Sequence, residues 1–413
     1  MKMTRYILPL LALVAFAGCT KVERAEAPAT KISFQAVNYS TQTKAEDPDY
    51  DQGGHVSVLN EFHAFKCMAY LHAQGVQIDE DGEEMEITST NKGYQDFFGT
   101  SGETISFTGD EATDDAPASG EWAPSHPYYW PKGEQSYVNF VAWYATDGTN
   151  SITPAVAYAQ DAQNSNKWTA TMTWDFTEDG LPTGANVMYA NMAWRYKNNG
   201  TSAVHGSSGA TQGVPMLFHH ALAQIKFQAA ADPLESTETV GGQQVKTRYE
   251  VYISSVELKD GIINEGTLTL TNDDPIPTTP TPKEWDVDWV LGSVLTGMAY
   301  GGSDEPLTVD PEDCTFMQTS VIPQEISEDA TVSITYEIWY YDGESTTPFM
   351  KESVTVEDIP LYGDDGFSPS IDEWVANTRY TYIININPVT QVIKFLPDAK
   401  EWVDGGTGSL PIE

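Results

Sequence analysis

Cysteine is scarce in this chain of 413 residues: beyond Cys19 there are only Cys67 and Cys314, far apart in the sequence. That excludes a disulfide framework and leaves two buried free thiols as the expectation. Basic residues are few, 21 Lys and Arg against 60 Asp and Glu, for a formal net charge of −39. Nucleic acid and anionic lipid are therefore excluded as partners, because phosphate binding depends on Lys and Arg. Helical periodicity is nearly missing, which removes bundles and coiled coils. His-Glu-x-x-His and Gly-x-Ser-x-Gly do not occur, nor do the Ser-Asp-Asn and Lys-Thr-Gly that would have to accompany Ser89-Thr90-Asn91-Lys92. No catalytic constellation is left, and spacing gives no support to a carboxylate pair for sugar hydrolysis.

What is present begins at the N-terminus. Lys2 and Arg5 precede the apolar run Tyr6 to Phe16, which Ala17-Gly18-Cys19 closes. A basic flank, a short apolar core and small residues form a secretory signal. The run is too short to span a bilayer, which takes about 20 residues. Cys19 directly after Ala17-Gly18 resembles a bacterial lipobox, with cleavage between Gly18 and Cys19 and lipid on Cys19. An ordinary secreted protein with a coincidental cysteine is the alternative. Two or more acyl chains hold a protein firmly where one does not, so the mature chain is expected outside the cytoplasm and tethered to a membrane.

Strand signals dominate the rest. Ile32, Phe34 and Ala36 alternate with Lys31, Ser33 and Gln35, and Tyr137 to Tyr144 is a denser aromatic and apolar run. Tyr249, Val251, Ile253 and Ser255 are expected on one face of a strand, as are Tyr380, Tyr382, Ile384 and Ile386. Turn-forming clusters such as Asp147-Gly148-Thr149-Asn150 lie between these segments. The pattern predicts an all-β protein of sandwiches. The length exceeds what one core usually organises, and the small, glycine-rich stretch Asn198 to Gly213 is the expected boundary. The chain then divides into a signal peptide at 1–18, a lipidated propeptide at 19–45, and domains at 46–198 and 214–413. The proline-rich stretch 273–282 reads as a surface loop.

Candidate sites are sparse. His219 and His220 are adjacent, so on a strand they face opposite ways and cannot readily share a metal ion. The loop Asp47 to Gly53 misplaces its glycine for a calcium site, and the twelfth position is Val58. Asp79 to Glu84 reads as a charged hairpin tip. Trp122, Tyr128, Tyr129 and Trp130 sit among prolines, either as a sugar-stacking platform or as cover for a core. Lys44 and Ala45, in Gln42-Thr43-Lys44-Ala45, follow the first strand and precede an acidic stretch, a natural cut site for a trypsin-like protease.

These residues carry a family likeness. The features are the lipobox, Lys31-Ile32-Ser33-Phe34, Thr43-Lys44-Ala45, Phe140 to Tyr144, Asn186 to Ala190, Leu217 to Phe227 and Val321-Ile322-Pro323-Gln324. Trp374 to Asn387, Val392-Ile393-Lys394-Phe395 and Glu401 to Gly406 complete the set. In that order they resemble the fimbrillin family, the subunits of type V pili and related lipoproteins of Gram-negative anaerobes. The resemblance implies two transthyretin-like (Ig-like) β-sandwich domains in tandem, no enzymatic activity and no cofactor. It implies an outer-membrane lipoprotein whose N-terminal strand, with Ile32, Phe34 and Ala36, is removed by a protease and replaced by a strand of the next subunit. Family members are often cut after arginine, where this chain has Lys44. The segment 391–413, with Val392, Ile393 and Phe395, either serves as the donated strand or completes its own sheet. The implied partners are other fimbrial subunits, the processing protease, the outer membrane and surface ligands of host or bacterium. A monomeric, anchored glycan-binding lipoprotein is the competing reading.

Overall fold

The computed structural model describes residues 30–39, 55–58, 62–72, 76–78, 84–86, 94–110, 119–131, 136–162, 167–199, 213–273, 275, 277–294, 298–361 and 371–401. Among these the chain is all-β, with one 3-10 turn at Pro311–Asp313.

Seven strands close into a ring. In chain order they are β1 (Phe34–Tyr39), β2 (Ala64–His72), β3 (Glu103–Asp110), β4 (Ser119–Pro124), β5 (Tyr137–Thr146), β6 (Asn186–Ala190) and β7 (Val214–His220). Around the ring the order is β5-β6-β7-β1-β4-β3-β2 and back to β5. A ring with an odd number of strands cannot alternate direction throughout, so one neighbouring pair must run parallel. That pair is β1 and β7, from Phe34 opposite Val214 to Asn38 opposite Phe218. All seven strands send side chains into one core, among them Phe34, Phe65, Ile105, Trp122, Phe140, Met188 and Phe218.

The outer face of the ring is covered as well. Val141, Trp143 and Ala145 of β5 point away from Phe140 and Ala142. They pack with Val187, Trp194, Trp168, Met172 and Leu268 into a second core. This explains the dense run at Tyr137 to Tyr144, because a strand buried on both faces loses its polar alternation. The opposing sheet has the order Ala155–Gln160, Trp168–Asp175, Gly266–Asn272, Asp286–Leu291. Strands from both sides of 198–213, the boundary expected from composition, therefore share sheets. β7 belongs to the ring, and residues 266–291 supply half of the covering sheet.

A third core lies between two further sheets. One contains Thr315–Val321, β8 (Ala223–Ala231), β9 (Thr378–Asn387) and β10 (Val392–Glu401), in that order. The other contains Glu235–Val240, Gln243–Lys259, Thr331–Asp342 and Met350–Pro360. Tyr380, Tyr382, Ile384 and Ile386 all face this core, as their alternation predicts. On Gln243–Lys259 the expected face holds only through Ile253. The register shifts between Ile253 and Ser255, and Val256 and Leu258 take the core positions instead. A β-bulge inserts one residue and so reverses the faces beyond it. The all-β expectation stands, and the chain adds a closed ring with a covering sheet, both of which include strands from beyond residue 213.

Candidate functional site: the seat of the first strand

The segment Ile32 to Ala36 leads into β1, the first described strand, and alternation sends Ile32, Phe34 and Ala36 into the ring core, each almost fully buried. Ser33 and Gln35, on the opposite face, are covered too. The Phe34 ring meets Phe140 edge-on at 5.3 Å between centroids, with Phe65 at 6.1 Å and Phe98 at 6.4 Å. Such edge-to-face packing adds to the gain from area burial alone.

The edges of β1 are held differently. Along β7 the pairing is continuous and parallel. On the other side Phe34 pairs with Trp122, and Val37, Asn38 and Tyr39 pair with Ser57, Val56 and His55. Ahead of β1, the Ile32 N–H donates to the Tyr128 carbonyl at 2.8 Å and the Trp130 N–H donates to the Thr30 carbonyl at 3.1 Å.

Two residues at the ends of the glycine-rich stretch 198–213 also grip the strand. The Asn199 Oδ1 accepts from the Ser33 N–H at 3.1 Å and from Trp130 Nε1 at 2.8 Å, and its Nδ2 donates to the Lys31 carbonyl at 2.8 Å. Gly213 passes so close that a Cβ there would lie 2.5 Å from the Phe34 carbonyl carbon. The stretch read from composition as a mere boundary is thus anchored to β1 at both described ends. No local signal marks this, because the contacts cross about 165 residues of chain.

The aromatic cluster is part of the same seat. Trp122 and Trp130 are buried, Tyr128 packs against the ring core and donates to Glu103 Oε1 at 2.8 Å, and Tyr129 is half exposed. The two tryptophans therefore cover the core, and they offer no open face for a sugar.

The other expected residues are placed as follows. Gly18, Cys19, Lys44 and Ala45 lie outside the described residues, as do the loop 47–53 and Ser89 to Lys92. Val392, Ile393 and Phe395 lie on β10, the edge strand that pairs antiparallel with β9 along its length. Val392 is exposed, and Ile393 packs against the third core. His220 is buried with its Nδ1 3.2 Å from Asn186 Oδ1, while His219 is half-buried and stacked on Tyr189. Cys67 is buried in the ring core, where burial raises its thiol pKa, and Cys314 is only half-buried. Among the described residues no group of three or more His, Cys, Asp or Glu is placed to hold a metal ion.

One buried polar cluster escaped sequence reasoning. Asn139 Nδ2 donates to the Tyr158 hydroxyl at 2.7 Å, and that hydroxyl lies 2.8 Å from His72 Nε2. Burial, and next the charge of Arg195, lower the His72 pKa to about 3, so Nε2 is free to accept the tyrosine proton. The cluster satisfies polar groups beside the second core. What the first-strand seat can do is hold one strand through two edges, three pockets and a side-chain amide.

A family model described as fimbrillin-like matches residues 77–402. No curated protein matches the chain. Among solved structures it is similar to a fimbrial protein from Bacteroides vulgatus ATCC 8482, at 12% identity and a TM-score of 0.42, covering 90% of this chain and 99% of that one. It is also similar to the tip fimbrial protein Mfa3 from Porphyromonas gingivalis with C-terminal truncation, at 9% identity and a TM-score of 0.29, covering 90% and 100%.

Proposed function

The chain belongs to the fimbrillin-like family, non-enzymatic fimbrial and adhesion proteins, and from that premise we propose that it is a pilus subunit assembled by strand exchange. In this reading the signal peptide is cut between Gly18 and Cys19, and lipid on Cys19 tethers the subunit to the outer membrane. A trypsin-like protease then cuts between Lys44 and Ala45. Residues 19–44 leave together with β1, and a strand of the next subunit refills the seat. The segment 391–413, through Val392, Ile393 and Phe395, is the donor in this scheme.

The observation that carries the reading is the position of β1. It is the first described strand, yet it closes a ring and fills its core. Burial of a large apolar side chain such as Ile32 or Phe34 stabilises by roughly 1.5–3 kcal/mol each. Loss of β1 exposes those pockets and leaves the facing edges of β7 and β4 unpaired, an invitation to strand addition. Head-to-tail addition of this kind is heterologous and does not close, so it yields a fibre.

The test is to incubate the mature protein with a trypsin-like protease and run it unboiled on a denaturing gel. Ladders are expected from the parent and none from Lys44→Gln. Cleavage after Lys44 that leaves only monomers overturns the reading. The competing sugar-binding reading drew on Trp122 and Trp130, whose burial removes its support.

A further inference from the structure

We propose that Asn199 is a register clamp: it makes the seat accept a strand of pattern Ile-x-Phe in one frame, and the occupant is Ile393-Lys394-Phe395 of a second copy. This deepens the strand-exchange reading and rests on it.

The bonds of Asn199 to the seated segment go to backbone groups just ahead of β1. Asn199 accepts from the Ser33 N–H and donates to the Lys31 carbonyl, the two groups that flank Ile32. Any strand can supply such a pair, so the clamp does not select by side chain. It does decide which residue enters the first pocket, the one between the two gripped groups. Because side chains alternate with period two, a slip of one residue would turn every apolar group out of the core. Trp130 Nε1 also donates to Asn199 Oδ1, which fixes the amide from behind. Gly213 then lets the strand lie flush at the second pocket.

The pattern Ile-x-Phe occurs at residues 32–34, 105–107, 225–227 and 393–395. The copy at Ile225-Lys226-Phe227-Gln228-Ala229 repeats Ile-x-Phe-Gln-Ala of Ile32 to Ala36, with Ile225, Phe227 and Ala229 all buried. Its strand, β8, also runs between one parallel neighbour, β9, and one antiparallel neighbour, Thr315–Val321. The same side-chain order thus accompanies the same mixed pairing twice in one chain. The strands carrying residues 105–107 and 225–227 are paired along both edges. Among the described residues β10 is paired only with β9, so of these strands it can leave by opening one ladder. In the proposed frame Val392 and Lys394 present their carbonyl and N–H to Asn199, Ile393 enters the Ile32 pocket and Phe395 the Phe34 pocket.

The test uses the full chain with a site-specific protease sequence introduced between Ser40 and Lys44, so that release of β1 does not depend on natural cleavage. Fluorescent peptides covering residues 30–39, 223–231 and 391–400 are titrated onto the cut protein. All three are expected to bind. A 391–400 peptide with an ester in place of the Lys394 N–H should bind about tenfold more weakly to the parent, and no more weakly than the amide peptide to Asn199→Ala. Asn199→Asp keeps the accepting oxygen and should preserve the discrimination if the alanine variant folds poorly. If the 30–39 peptide rebinds but amide and ester peptides bind alike, the clamp is refuted while strand exchange survives. Rebinding of 30–39 without binding of 391–400 removes β10 as occupant. If not even the 30–39 peptide rebinds a folded, cut protein, strand exchange itself fails, and the clamp with it.

Discussion

Replacing Phe34 with alanine removes the ring that fills the middle of the β1 seat. The side chain is almost fully buried and packed edge-on by Phe65, Phe98 and Phe140. Buried Phe→Ala changes cost about 3–5 kcal/mol, through lost transfer energy plus the cavity left behind. In this protein the loss falls on one strand, whose seated form is weakened by roughly a hundred- to several-thousand-fold. Hydrogen exchange reads the effect locally. The Val214 N–H donates to the Ser33 carbonyl and the Ile32 N–H to the Tyr128 carbonyl, so both amides should exchange faster in Phe34→Ala. Amides of β8 and β9, which pair with each other around the separate third core, should hold their protection. Phe34→Leu should cost less, about 1 kcal/mol, as a partly volume-conserving change. Tyr129→Ala, at a half-exposed position beside the same strand, should be nearly neutral in urea unfolding. A Phe34→Ala midpoint shift worth under about 1 kcal/mol, or equal loss of protection in β8 and β9, would refute the picture of β1 as a keystone of the ring.

Acid should destabilise the fold through His72. In the unfolded chain it titrates near 6.5 and in the folded chain near 3, so between those values only the unfolded state gains the proton. Its contribution is complete above about pH 6.5 and is lost as pH falls toward 3, at about 1.4 kcal/mol per unit; melting curves of His72→Gln should show a shallower acid limb. Gln324→Ala should cost about 2–3 kcal/mol in urea unfolding, because Gln324 accepts from the Ile263 N–H at 2.7 Å and donates to the Ile263 and Ile322 carbonyls. Trp122→Ala should unfold the ring by about 3–5 kcal/mol, so a glycan-array signal that changes at unchanged stability would contradict its placement in the core.

Much of the architecture was legible in local patterns. Alternation at Ile32 to Ala36 and at Tyr380 to Ile386 located two strands and their buried faces, since period two is set by the backbone itself. The motif Leu217 to Phe227 is recognisable in sequence, but its reason appears only in three dimensions. It passes through all three cores in turn, Phe218 in the ring, Ala221 and Leu222 in the second, and Ala223, Ile225 and Phe227 in the third. Composition placed a boundary at 198–213, yet β7 and residues 266–291 return to the first half. Composition records where a chain has few core-forming groups, not which distant strand will pair.

The sequence by itself determined the all-β class, the buried faces at Ile32 to Ala36 and Tyr380 to Ile386, the family and the acidic composition, because these follow from residue type and short-range spacing. The tertiary structure decided that β1 closes a ring, that Trp122 and Trp130 are wall rather than platform, and that Asn199 and Gly213 clasp the strand. Those outcomes depend on which backbone edges meet between segments far apart in the chain, and a local pattern carries no record of its partner.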